Sequence, residues 1–231
     1  MEIRVLGSGS SGNAYWVSDG VTPLLVECGL PIRKLREALD FSLSEVAGCL
    51  VSHAHMDHAK ATHDLMQSGI DVYASPGTFV ALHEFLNHHR AKVLQPNVQT
   101  TAGTWTVTPF AAEHDAAEPL GFVLDSTVTG ERLVYSGDTC WIRERFAGMT
   151  HVLVECNNDW DAVRDGAAPA PLKSRIVRTH MDLSAVKEFL AANDLSRVRE
   201  IWLLHLSDDH SDEERFRREV QEATGKEVYV A

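Results

Sequence analysis

Four cysteines in 231 residues, none in a CxxC pair, leave little material for a thiolate metal cage or a disulfide framework. Cys28, Cys49, Cys140 and Cys156 are therefore expected to pack as small apolar residues at strand ends. The opening MEIRVLGSGSSGNAYW lacks a basic region followed by a long apolar one, so no signal peptide and a cytoplasmic location are expected. The longest apolar runs, such as HVLVEC and EIWLLH, fall far short of the roughly 20 residues that a membrane helix needs. Cations are also scarce. Lys and Arg total 21 against 33 Asp and Glu, a formal charge of −12. This disfavours a broad non-specific nucleic-acid surface, because phosphate backbones are bound mostly by Lys and Arg. It leaves room for a phosphate substrate at a metal centre, where two divalent ions would add four positive charges locally. With no repeat, low-complexity tract or linker, residues 1–231 read as one domain.

What is present is a β-rich chain punctuated by helices. EIRVLG (2–7), AYWVS (14–18) and PLLVEC (23–28) read as strands, then PIRKLREALD (31–40) as a helix with Pro31 in its first turn. GCLVSH (48–53) is a short apolar strand of the kind buried on both faces. A helix over about 58–68 follows, then the strand DVYAS (71–75). GTFVALHEFLNHHR (77–90) reads as a helix with Val80, Phe85 and Leu86 facing inward. TWTVTPF (104–110), GFVLD (121–125), RLVYSGD (132–138) and HVLVEC (151–156) are strands, and NNDWDAVRDGAAPAPLKSRI is less regular. LSAVKEFLAAN (183–193) is a helix capped by Ser184, and SDEERFRREVQEATG (211–225) one with a Ser211–Glu214 capping box. The strands EIWLLH (200–205) and EVYVA complete the set. Two packed sheets with helices outside, an α/β class, satisfy this order.

The chemistry concentrates in VSHAHMDHA, where His53, His55, Asp57 and His58 fall within six residues. Imidazole and carboxylate suit zinc and similar divalent ions. Residues two apart on a strand point the same way, so His53 and His55 can grip one ion while the turn aims Asp57 and His58 at another. Four neighbours cannot close two sites. His114 in AAEHDAAEP, Asp138 in YSGDTC and His205 in LLHLSDDH lie at or after strand ends, where side chains can be presented without disturbing a core.

HAHMDH resembles the HxHxDH signature of the metallo-β-lactamase-fold hydrolases, and His114, the Asp of GDT and the final His205 match that family in order and spacing. The resemblance spans essentially the whole chain. It implies a four-layer αββα sandwich with two divalent ions, Zn²⁺ or alternatively Mn²⁺. It further implies that His53, His55 and His114 hold one ion, that Asp57, His58 and His205 hold the other, and that Asp138 bridges them. GSGSSGN, HDAAEPLGF, ECNND, PLKSRI and HLSDDHSD resemble a compact bacterial and phage branch of nuclease-like members related to ribonucleases Z and J. Glu27 stands where the family often has Asp.

The implied activity is that of a dinuclear phosphodiesterase, a nuclease on DNA or RNA in which a metal-bridging hydroxide attacks phosphorus. Asp57 is a candidate to orient the nucleophile as well as bind metal. His180 is the candidate general acid, with His210 second. GSGSSGN is either a phosphate cradle or a plain hairpin loop, and it lacks the Lys-Ser/Thr ending of a P-loop. Arg143, Arg145, Lys173, Arg175 and Arg178 are the nearest basic cluster to the site segments; Trp105, Trp141, Trp160 and Trp202 read as core, with exposure near the site the alternative for Trp160, which follows the polar ECNND. The alternative reading is another hydrolase on the same scaffold, a lactonase, thioesterase or β-lactamase-like enzyme. A third is a member that keeps metal without catalysis.

Overall fold

A computed structural model describes residues 1–84 and 88–231. Strands and helices mix throughout, as the α/β reading expects. Among the described residues no helix is long and apolar enough to cross a membrane. The chain divides into two compact units, Met1–Ala111 with Ala116–Gly130, and Ala112–Asp115 with Glu131–Ala231.

The first unit begins with β1 (Glu2–Gly7), β2 (Ala14–Ser18), β3 (Pro23–Val26), α1 (Ile32–Ala38), β4 (Cys49–Leu50), α2 (Met56–Ala59) and α3 (Thr62–Gln67). It continues with β5 (Val72–Ala74), α4 (Pro76–Ala81), β6 (Ala91–Val93), β7 (Thr100–Ala102), β8 (Trp105–Ala111) and β9 (Leu120–Ser126). The first six strands form one sheet in sequence order. Its first three strands pair antiparallel and β3 to β6 run parallel. The parallel strands β3, β4 and β5 are short and almost wholly buried, which is what their unalternating apolar runs require. Leu25, Leu35, Leu65, Val72 and Phe79 build the core beside them. Each such side chain contributes about 1.5–3 kcal/mol by burial. β7, β8 and β9 pair antiparallel, and β8 shows a half-buried alternation.

The second unit contains β10 (Arg132–Tyr135), β11 (His151–Glu155), α5 (Trp160–Asp165), α6 (Ala170–Thr179), α7 (Leu183–Ala191), β12 (Glu200–Leu204), α8 (Glu213–Thr224) and β13 (Glu227–Val230). Its four strands run parallel in order. β11, HVLVE, is buried at every position, the continuous apolar strand that a covered parallel sheet demands.

Several expectations need correction. The helix expected over 58–68 is broken into α2 and α3, and the expected strand 48–53 pairs only at Cys49–Leu50, because the histidine turn begins immediately after. The helix expected over 77–90 ends at Ala81, and Val80 is exposed; Phe85 and Leu86 lie outside the described residues. Pro31 is the residue preceding α1 and not part of its first turn. Asp182, not Ser184, caps α7, and Asp212, not Ser211, caps α8 through the Arg215 N–H. In both cases an aspartate within two positions of the expected site reaches the free amides of the first turn. The stretch read as irregular holds α5 and α6, whose Gly-Ala-Ala-Pro junction hid them. Trp105 is buried as expected, whereas Trp141 is exposed; Trp160 is exposed too, the alternative that its polar flank allows. Cys28, Cys49 and Cys156 are buried thiols, whereas Cys140 is only half-buried. Burial pushes the Cys49 and Cys156 thiols well up, so neither is a ready nucleophile.

One close approach fixes the turn after β4. A Cβ placed on Gly29 would lie 1.7 Å from the Asp57 carbonyl oxygen, so the two backbones touch there only because residue 29 has no side chain. The Cys28 N–H donates to the His58 carbonyl at 2.8 Å across the same junction. Gly29→Ala is therefore expected to lower the unfolding free energy by at least about 2 kcal/mol in denaturant titration. An unchanged midpoint would mean that the 57–58 turn can retreat without cost.

Candidate metal centre

In the first unit the histidine turn is built from three held pieces. The His53 ring is buried, with Nδ1 2.9 Å from Ser52 Oγ, and its Nε2 lies 3.0 Å from His55 Nδ1. His58 is buried between Asn13 and Glu27: its Nε2 is 3.1 Å from Asn13 Nδ2 and its Nδ1 3.6 Å from Glu27 Oε1. Asp57 Oδ2 stands 3.6 Å from His58 Nε2. All four residues of the motif are thus brought together.

The GSGSSGN loop acts here as a clamp. The Gly9 N–H donates to Asn13 Oδ1, and the Asn13 N–H donates to the Asp57 carbonyl at 2.7 Å. Asn13 and Glu27 are positioning residues that sequence reasoning does not assign. Glu27 sits fully buried with φ 65°, left-handed for a residue with a side chain, and accepts the Ser52 N–H. Such a conformation costs about 1–3 kcal/mol and persists where surrounding interactions hold it.

In the second unit His114, Asp138, His180 and His205 converge. Asp138 Oδ2 lies 4.0 Å from His114 Nε2, 3.7 Å from His180 Nδ1 and 3.7 Å from His205 Nε2. His180 stacks on His205 with ring centroids 5.5 Å apart and meets His114 edge-on at 5.1 Å. His210 is held elsewhere: its carbonyl accepts the Asp159 N–H, and Nδ1 is 3.2 Å from Ser207 Oγ.

A residue not singled out from sequence, Glu155, organises this cluster. Its Oε2 accepts the Thr139 N–H at 2.9 Å and the Met181 N–H at 3.2 Å, and its Oε1 accepts from His180 Nδ1 at 2.5 Å. One buried carboxylate thereby joins the end of β11, the turn carrying Asp138 and the turn carrying His180. Burial works against the charged form of His180. The Glu155 and Asp138 carboxylates more than offset it and raise its pKa above the ordinary imidazole value. The signal available in the sequence is ECNND, whose Glu155 ends an otherwise apolar strand. Asn157 follows. Its Nδ2 donates to the His205 carbonyl at 2.9 Å and lies 3.1 Å from the ring Nδ1, fixing a residue whose φ is 55°.

The donors fit divalent ions. His114 Nδ1 lies 2.7 Å from the Thr179 carbonyl, which can only accept, so Nδ1 donates there, and Nε2 faces the Asp115 and Asp138 carboxylates at 3.2 and 4.0 Å. Asp138, Glu155, His180 and His205 offer ligand atoms within 4.8 Å of one another. The 3.6–4.0 Å separations around Asp57 and Asp138 are too long for hydrogen bonds. They approach the roughly 3.3 Å between neighbouring ligands of a tetrahedral zinc ion with bonds of about 2.0 Å.

The model of the beta-lactamase superfamily domain matches residues 22–206. The exodeoxyribonuclease YycJ of Bacillus anthracis is 29% identical over 96% of this chain and 88% of its own length. The exodeoxyribonuclease WalJ of Streptococcus pneumoniae is 26% identical over 91% of this chain and 83% of its own. Among solved structures, the metallo-beta-lactamase fold protein YhfI from Bacillus subtilis superposes with a TM-score of 0.76 at 20% identity, covering 99% of this chain and 95% of that one. That likeness establishes the metallo-β-lactamase fold.

Asn157→Ala is expected to weaken zinc binding about 10- to 100-fold, read by competition with a chelating dye, because His205 loses the amide that orients it. Unaltered affinity would separate the His205 ring from metal binding.

Proposed function

The chain belongs to the beta-lactamase superfamily, and we propose that it is a cytoplasmic dinuclear metal-dependent phosphodiesterase that cuts nucleic-acid strands, with residues 1–231 acting as one catalytic domain. The observation that carries this reading is the convergence of His114, His180 and His205 on the Asp138 carboxylate. The exodeoxyribonuclease relatives support DNA as the substrate and an exonucleolytic mode.

In this proposal His53, His55 and His114 hold one ion, Asp57, His58 and His205 the other, and Asp138 is shared. The ions, when bound, supply a water of lowered pKa and offset charge building on the phosphate. Asp57, half-buried beside His58, orients the attacking water. The Glu155 carboxylate holds His180 at Nδ1, which leaves Nε2 to give a proton to the departing oxygen.

Asp138→Ala is expected to reduce hydrolysis of bis-p-nitrophenyl phosphate to that of the chelated protein. Full turnover in that variant would remove the shared ligand from the account. A panel of labelled DNA, RNA, a lactone and a thioester decides the class: ester turnover without phosphodiester cleavage would assign a different hydrolase on this scaffold. His180→Ala should slow cleavage of an unactivated DNA linkage by about 10²–10⁴-fold and the activated nitrophenyl ester far less. Equal losses on both substrates would exclude His180 as the acid.

A further inference from the structure

The acidic chain reserves one helix for cations. α6, APLKSRIVRT, carries Lys173, Arg175 and Arg178 and no acidic residue, in a protein of net charge −12. Its residues serve two neighbouring hollows. Positions 170, 173, 174, 177 and 178 recur at i, i+3, i+4, i+7 and i+8, one helical face, and with Trp160 they line a groove of about 330 Å³. Arg175, Arg178 and Thr179 line a second hollow of about 460 Å³, shared with His114 and Cys140. Arg178 belongs to both.

The chemistry of the two hollows differs. Beside His114, Arg175 is engaged with Asp115 at 2.7 Å, so this hollow holds a histidine of the metal centre next to a balanced ion pair. The outer groove combines an exposed indole, Trp160 at 47% exposure, with Val177 at 40% and the stems of Lys173 and Arg178. An indole left to solvent in a groove that it shares with two cations suits a ligand with a flat apolar face and flanking anions. Stacked bases on a phosphate backbone have that character, and a free phosphate or small phosphodiester does not.

We propose that the α5–α6 surface is a binding track for an unpaired nucleic-acid strand, in which Trp160 stacks a base while Lys173 and Arg178 bind the flanking phosphates. Arg178 connects the track to the hollow at His114. The inference rests on the phosphodiesterase reading and narrows its substrate to a strand whose bases are accessible near the cut. A paired duplex hides the base faces inside its stack, so a duplex end must fray to engage Trp160.

Binding of a fluorescein-labelled, phosphorothioate-linked oligothymidylate of about twelve nucleotides to the metal-loaded full chain tests this by anisotropy. Trp160→Ala is expected to weaken binding about tenfold, and Trp160→Phe to restore most of it. Lys173→Ala with Arg178→Ala should weaken binding similarly and flatten the salt dependence by about 0.7 in logarithmic slope for each phosphate no longer neutralised. Turnover of bis-p-nitrophenyl phosphate should be unchanged in Trp160→Ala and Trp160→Phe, since Trp160 supplies no donor atom to the metal centre and does not line the hollow at His114. Unaltered oligonucleotide affinity in Trp160→Ala and in the double variant would overturn the proposal. A shift from dimer to monomer in Trp160→Ala at unaltered affinity would assign the patch to a second copy and overturn it equally. Absence of nitrophenyl turnover in every variant would count against the metal-centre reading alone, because the anisotropy reports on this surface separately.

Discussion

Around Asp57 and Asp138, imidazole nitrogens and carboxylate oxygens are held 3.6–4.0 Å apart, a spacing that suits a shared cation better than a direct hydrogen bond, and the rest of the local structure depends on that constraint. Short parallel strands bring the donors to chain turns. Backbone and side-chain clamps then hold the turns where unassisted side chains would spread apart. Asn13 and Glu27 fix His58, Asn157 fixes His205, and the Thr179 carbonyl anchors the ring of His114. The left-handed conformations of Glu27 and His205 are the local cost of aiming these side chains.

Glu155 shows how far one such group reaches. Two main-chain amides and one imidazole end on its carboxylate, so the Asp138 turn, the His180 turn and β11 are positioned by a single side chain. The arrangement gives His180 a directed ring. It also explains why a glutamate closes a strand that is buried at every position.

The fold class and the donor residues are legible in the sequence for a simple reason. Candidate metal donors are chemically distinctive, and HAHMDH packs four of them into one strand-to-helix turn. Parallel strands such as HVLVE are equally plain, because burial on both faces leaves continuous apolar runs. The supporting residues are not legible. Asn13, Glu27, Glu155 and Asn157 are ordinary polar side chains whose roles come from tertiary interactions. α5 and α6 are hidden by their polar composition and the Ala-Ala-Pro junction, since a helix without a clear apolar stripe gives little periodic signal. The polar ECNND before Trp160 leaves its exposure open in the sequence, and the structure puts it at the surface beside α6. Helix starts shift by a residue or two for a related reason: neighbouring Asp and Ser residues compete for the same cap, and backbone geometry chooses between them.

The central claim is that these residues hold two ions that act together on a phosphodiester. The most direct measurement strips the protein with a chelator, restores Zn²⁺ or Mn²⁺ in steps, and follows bound metal and bis-p-nitrophenyl phosphate hydrolysis on the same samples. The account predicts two ions per chain, with turnover rising mainly as the second is bound. Binding of a single ion at full activity, or hydrolysis that persists in the stripped protein, would contradict it.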